Sequence, residues 1–242
     1  RTVAQSNGTV LVNLSPGQSL VLAGGAASLS VTQGNPDVTQ TGLQLTIGTS
    51  KASLDMAVGG SLGGLYEARD GLQPVQREVG QLAVALSDAM NSQNKLGMTL
   101  NNQLGADLFT LPTSNGLPNA NSTGTGAISV AFMAGKGGEV TPNDFEVKFT
   151  SGSNFEIYML DGDTKSLVTS GSTPPALFQM PNYGIELTVS GTPAAGDSLL
   201  LQPTRDAAAN IGIAVSRGED IALAASVKTS ASANNYGTAK IA

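Results

Sequence analysis

Gly59–Phe109, GGSLGGLYEARDGLQPVQREVGQLAVALSDAMNSQNKLGMTLNNQLGADLF, decides the fold, because it is the one long segment with a helical period. Its apolar positions Leu65, Leu72, Val75, Val79, Leu82, Leu86 and Ala89 fall, from Leu72 onward, alternately three and four residues apart. That spacing lines them along one helix face, as a seam suited to packing on another helix rather than the broader stripe of a helix lying on a sheet. Gln76, Arg77, Glu78, Gln81, Ser87 and Asp88 fall between the seam positions and are expected to face water. A helix from Leu62 to about Leu96 would be about 50 Å long. Pro74 predicts a kink or break near Gly71–Pro74, or a second helix starting with Pro74 in its first turn. Gly97 is the expected stop, with Lys95 suiting the negative helix end. The seam requires a helical partner that most of the chain cannot supply.

On the N-terminal side, residues 1–58 read as short strands: Thr9–Leu14, Ser19–Ala23, Ser28–Gln33, Leu43–Ile47 and Ala52–Val58. Pro16-Gly17, Gly24-Gly25, Gly34-Asn35-Pro36 and Gly48 mark turns between them, as in antiparallel hairpins. On the other side, Leu111–Gly126 is rich in Pro, Asn, Ser, Thr and Gly and reads as a linker. Six strands are expected after it, at Ala127–Met133, Phe145–Thr150, Phe155–Leu160, Ala176–Met180, Ile185–Val189 and Ser198–Gln202, forming a sandwich or barrel. The alanine-rich Arg205–Ala225 suggests short helices or returning chain. The fold class is therefore α+β, with β-hairpins and a long helix (1–110, a middle domain), an inserted all-β outer domain (111–204) and a return segment (205–242).

The composition narrows the function. The chain has 242 residues, 30 of them Gly, with no Cys, His or Trp, 4% aromatic and 12% charged residues, and a net charge of −6. Without a basic cluster, neither nucleic acid nor an anionic membrane is an expected partner, and no apolar run approaches the roughly 20 residues that span a bilayer. The absence of cysteine and histidine removes disulfides, thiol nucleophiles, and the commonest general base and metal ligand. The chain begins with Arg1 and shows no signal peptide, so it reads as an internal fragment.

No motif carries chemistry. Gly59, Gly60, Gly63 and Gly64 sit where a strand would turn into a helix, but they lack the dinucleotide and P-loop spacings and read as a tight turn with close backbone packing. Ser92–Lys95 has S-x-x-K spacing at the wrong end of a helix and without its companion motifs. Asp161-Gly162-Asp163 lacks the further ligands of a calcium loop and reads as a β-turn. Glu67, Asp70, Glu78 and Asp88 read as a solvated helix face. The Asn-x-Ser/Thr matches at Asn7, Asn13 and Asn121 are expected by chance in such a composition. No catalytic, cofactor or metal residue is assigned, and no enzyme is expected.

Several of these blocks carry a resemblance. Gly59–Leu65, Leu82-Ala83, Ala89–Gln93 and Gly105–Phe109, followed later by SGTPAAGDSLLLQPTRDAAANI (Ser190–Ile211), resemble the flagellar hook-associated protein 1 family (FlgK) of the bacterial hook–filament junction. The chain departs from the family at Leu96 and Met98, and the family's terminal helices lie outside these residues. The resemblance implies a structural, motility-related protein that is exported unfolded by the flagellar secretion apparatus, which suits the absence of cysteine. It implies an extracellular ring of copies at the distal end of the hook. The implied partners are the hook protein, a second hook–filament junction protein, further copies of itself, and an export chaperone acting through regions outside this fragment. The competing reading is a bacterial surface adhesin or glycan-binding β module, which would need exposed aromatics among Phe132, Phe145, Phe149, Phe155, Tyr158, Phe178 and Tyr183. A carboxylate-only enzyme would use a pair such as Asp161 and Asp163.

Overall fold

A computed structural model describes residues 2–6, 8, 10–13, 19–22, 25–54, 60–162, 164–173, 176–225 and 240–241. The chain is α+β and divides into two compact units, residues 1–73 and 74–242. The division falls inside the long helix rather than near residue 110, because the second half of the helix is built into the β-rich unit.

In the first unit, β1 (Thr2–Ala4), β2 (Val10–Asn13), β3 (Ser19–Leu22) and β4 (Gly25–Ala26) form an antiparallel sheet in sequence order. β5 (Ser28–Gln33), β6 (Thr41–Ile47) and β7 (Ser50–Leu54) form a second antiparallel meander. Alternation in TGLQLTI buries Leu43 and Leu45, which join Leu54 in a small core that also receives Tyr66 from the helix. The Arg69 guanidinium lies 4.8 Å from the centre of the Tyr66 ring and donates to the Thr41 carbonyl. Gly59 and the other residues of 55–59 lie outside the described residues.

Helix α1 runs uninterrupted from Gly60 to Lys95. The break expected at Pro74 is absent: the proline is exposed within the helix and removes a single backbone hydrogen bond. The glycine turn is also displaced. Gly60 opens the helix with φ +65°, Gly63 and Gly64 lie within its first turns, and a Cβ at Gly60 or Gly64 would meet open space, so no close packing requires glycine at those two positions.

The second unit continues through β8 (Gly97–Met98), β9 (Phe109–Thr110), β10 (Ser114–Asn115), β11 (Leu117–Pro118), β12 (Ala127–Phe132), β13 (Asp144–Phe149), β14 (Asn154–Asp161), β15 (Thr164–Ser172), β16 (Leu177–Met180), β17 (Ile185–Ser190) and β18 (Ser198–Leu201). Two antiparallel sheets, ordered β10-β12-β17-β16 and β11-β18-β13-β14-β15, face each other as a sandwich. Alternation in ISVAF, FEVKF, FEIYM and IELTV sends one set of side chains inward. Phe145, Phe149, Phe155, Ile157, Leu187 and Leu201 are accordingly almost fully buried.

Leu111–Gly126 is not a free linker. Its β10 pairs with β12 and its β11 with β18, so this stretch supplies an edge strand to each sheet. β15 was not expected because Thr, Ser and Gly blur its alternation; it is an edge strand held by pairing with β14. After β18, the short helix α2 (Ala207–Asn210), β19 (Gly212–Ile213) on β9, and β20 (Ala224–Ala225) between β8 and β21 (Lys240–Ile241) return the chain to the end of α1.

The Gly-x-Pro-x-x-Gly-Asp block has a structural basis. Gly191 has φ +71°, and a Cβ there would lie 2.1 Å from the Thr125 carbonyl oxygen. The buried Asp197 carboxylate accepts the backbone N–H groups of Ala194 (2.8 Å), Thr123 (2.8 Å) and Gly124 (3.1 Å). Those donors, Ala194 and Thr123 first, hold the Asp197 pKa below its ordinary 3.8. A depressed carboxylate pKa stabilises the fold above the unfolded value, and that contribution is lost as pH falls through the folded value. Asp197→Asn, which places an amide NH₂ among three donors, should lower the melting temperature at pH 7. The gap to the parent should narrow as pH drops below about 4. Thermal unfolding of both proteins across a pH series checks this; a pH-independent gap would refute the assignment.

Candidate functional site

Among the described residues no group of three Asp or Glu is placed to hold a metal, and no helix is long and apolar enough to cross a membrane. Asp161 is exposed at the β14–β15 turn, where Gly162 has φ +57°, and Asp163 lies outside the described residues. Lys95 pairs with Asp107 at 2.7 Å rather than with Ser92. The feature that sets the molecule apart is α1, whose two faces are used in the reverse of the usual way.

The seam side chains are out. In the first unit Leu65 and Leu72 are 69% and 66% exposed. In the second unit Val75, Val79, Leu82 and Leu86 are 51–68% exposed, and Ala89 is exposed as well. Within the described residues nothing covers this face.

The buried residues lie on the other side of the helix. They are Gly80, Val84, Ser87, Asp88, Asn91 and Asn94. Ser87 and Asp88 are therefore not water-facing as expected, and Arg77 and Gln81 are half-buried. Of the four acids read as a solvated face, only Glu67, Asp70 and Glu78 are exposed.

The reason lies in what packs on this face. Segments 106–109, 135–140 and 222 are largely irregular chain whose backbone groups need partners when they are buried. Gln81 donates to the Val140 carbonyl (2.6 Å). Asp88 accepts the N–H groups of Gly135 (2.9 Å) and Gly137 (2.8 Å). Asn91 accepts from the N–H groups of Leu108 (2.8 Å) and Phe109 (2.9 Å) and donates to the Phe109 carbonyl (2.8 Å). Asn94 accepts from Ala222 N–H (2.9 Å) and donates to the Ala106 carbonyl (2.7 Å). Arg77 adds an ion pair to Asp144 at 3.3 Å. Hydrophobic periodicity passes over this face because its residues are polar or small. The available signal is their own 3–4 spacing: 77, 80, 84, 87, 91 and 94.

At the C-terminal end of α1, Met90, Leu96, Leu108, Ile221 and Leu223 line an open cavity of about 490 Å³. Leu96 and Leu223 are 67% and 72% exposed, so apolar surface continues there. Aromatic platforms are scarce. Phe145, Phe149 and Phe155 are buried, Phe132, Phe178 and Tyr183 are packed against them, and Tyr158 lies beneath Lys165.

Residues 1–109 match the family model described as the flagellar hook-associated protein FlgK helical domain. The chain is 29% identical over 239 residues, 97% of its length, to flagellar hook-associated protein 1 of Escherichia coli K12, and 26% identical over 93% of its length to that of Salmonella typhimurium. It spans 42% and 40% of these relatives' lengths. Its fold matches the flagellar hook junction protein FlgK from Burkholderia pseudomallei with a TM-score of 0.74 at 30% identity, covering 93% of this chain and 42% of that one. In both sequence and fold the chain is therefore similar, over nearly all of its length, to flagellar hook-associated proteins of the FlgK type.

Proposed function

We propose that the protein is a structural junction component of the bacterial flagellum, joining hook to filament at the distal end of the hook. The observation that carries this reading is the likeness, over 93% of the chain, to the flagellar hook junction protein of Burkholderia pseudomallei. The work is done by surfaces rather than by an active site, and no enzymatic activity is assigned. Its partners are the hook protein, a second hook–filament junction protein and further copies of itself in a ring, with an export chaperone acting through regions outside residues 1–242. The location is extracellular, on the flagellum, after export by the flagellar secretion apparatus.

In this reading Leu65, Leu72, Val75, Val79, Leu82, Leu86 and Ala89 form the face that receives a helix. Their exposure supports it, because apolar helix faces of this size are costly to leave in water. Residues 111–204 act as the outer β domain of the subunit. The adhesin reading has less support, since the aromatic side chains it needs are mostly buried or stacked.

Cells lacking the gene should carry bare hooks under the electron microscope and release flagellin into the medium. Normal filaments and unchanged motility would overturn the junction reading.

A further inference from the structure

The buried face of α1 does more than satisfy hydrogen bonds. We infer that it is a register lock, a row of directional contacts and one steric notch that holds the helix at a single axial position against the β-rich part of its own unit. Helices packed through apolar side chains can move past a neighbouring element by one turn, about 5.4 Å, because one aliphatic contact resembles the next. Polar side chains at packing positions fix register instead, since each requires one particular partner.

Here Gln81, Asp88, Asn91 and Asn94 follow one another along the buried side of the helix, the last three on successive turns, and each is matched to backbone groups of a different segment: 140, 135–137, 108–109, and 106 with 222. A one-turn shift would separate all of these pairs together and leave buried donors and acceptors unmet, which is far costlier than losing exposed ones.

The notch is an independent observation. Gly80 packs on the backbone of Thr204 so closely that a Cβ would come within 1.8 Å of the Thr204 carbonyl oxygen. Sliding the helix by one turn would bring Val84 or Arg77, or a neighbour of either, to that point. Each carries a side chain where even a methyl group does not fit. The same geometry recurs at Gly137, where a Cβ would lie 2.6 Å from Asp88 Cβ.

The division of labour on α1 follows. The face that could slide is turned outward, and the face that cannot is turned inward. The inference rests on the geometry of residues 74–242 alone. Joined to the junction reading above, it would make the helix and the β sandwich of that unit one body under bending load.

The test is a pair of spin labels on the intact protein, at Glu78→Cys on the helix and Ser166→Cys on β15, both exposed. The absence of cysteine from residues 1–242 makes the labelling specific within them. The labelled parent should give one narrow distance distribution by pulsed electron resonance. Adding Asn91→Leu and Asn94→Leu, which keep the bulk of the side chain but remove the matching, should broaden it or add a component displaced by up to about 5 Å. Adding Val84→Ala to the labelled parent removes apolar packing from the same face and should lower the melting temperature while leaving one distance. A single unshifted distance in the leucine variant, or the same broadening in Val84→Ala, would overturn the lock. If the double variant does not fold, Asn94→Leu alone carries the same readout. The experiment is done in solution, so its outcome is separate from that of the filament assay.

Discussion

Replacing Leu82 and Leu86 together with glutamate should abolish filament attachment while leaving the 242-residue chain folded. Both side chains project from α1 at 68% and 59% exposure, and neither contributes to the buried clusters. Exposed substitutions away from special features usually change stability by within about 0.5 kcal/mol each. Carboxylates at two adjacent turns of a helix–helix seam, by contrast, would each have to be desolvated without a partner, costing several kcal/mol in the assembled state. The expected result is therefore a separation. Urea unfolding of the chain stays near that of the parent, while cells carrying the variant shed flagellin and swim no better than the deletion strain. Glu67 and Glu78 to glutamine on the same helix provide the contrast, since both are exposed and lie off the seam. Normal motility in the double glutamate variant would show that the outward seam takes no part in assembly.

Phe149→Ala should have the largest effect on the fold itself. Phe149 is 0% exposed and belongs to the sandwich core, with its ring 5.8 Å from that of Phe155 in an edge arrangement. Truncating a buried phenylalanine to alanine costs about 3–5 kcal/mol, because transfer free energy is lost and the cavity is only partly filled by relaxation. For a unit of this size that corresponds to a fall in melting temperature of roughly 10 °C. Calorimetry of the isolated chain is the check. The neighbouring exposed position, Lys148→Ala, should move the transition by a degree or two at most. A Phe149→Ala variant melting within two degrees of the parent would mean that the two sheets do not pack through this residue.

Legibility in the sequence followed the strength of each local signal. FEVKF and FEIYM alternate cleanly, so their strands and inward residues can be read directly. The helix could be read from its apolar period and its stop from Gly97, within a residue or two of the observed Gly60–Lys95. β15 and the short strands β10 and β11 could not, because Ser, Thr, Asn and Gly carry little strand preference and their pairing depends on neighbours far along the chain. Pro74 misleads for a similar reason. Locally it argues for a break, yet in the folded chain the cost of one missing hydrogen bond on an exposed turn is outweighed by the packing of the rest of the helix.

The sequence alone determined that there is a helix with an apolar seam and that most of the chain after it is built of strands. These are matters of periodicity and of which side chains the chain possesses. Tertiary structure alone decided which face of the helix is buried. Periodicity ranks Ser87 and Asp88 as outward because it counts what a side chain loses by leaving water. It cannot count what irregular segments at 106–109, 135–137 and 222 gain when Asp88, Asn91 and Asn94 supply the hydrogen bonds their backbones need.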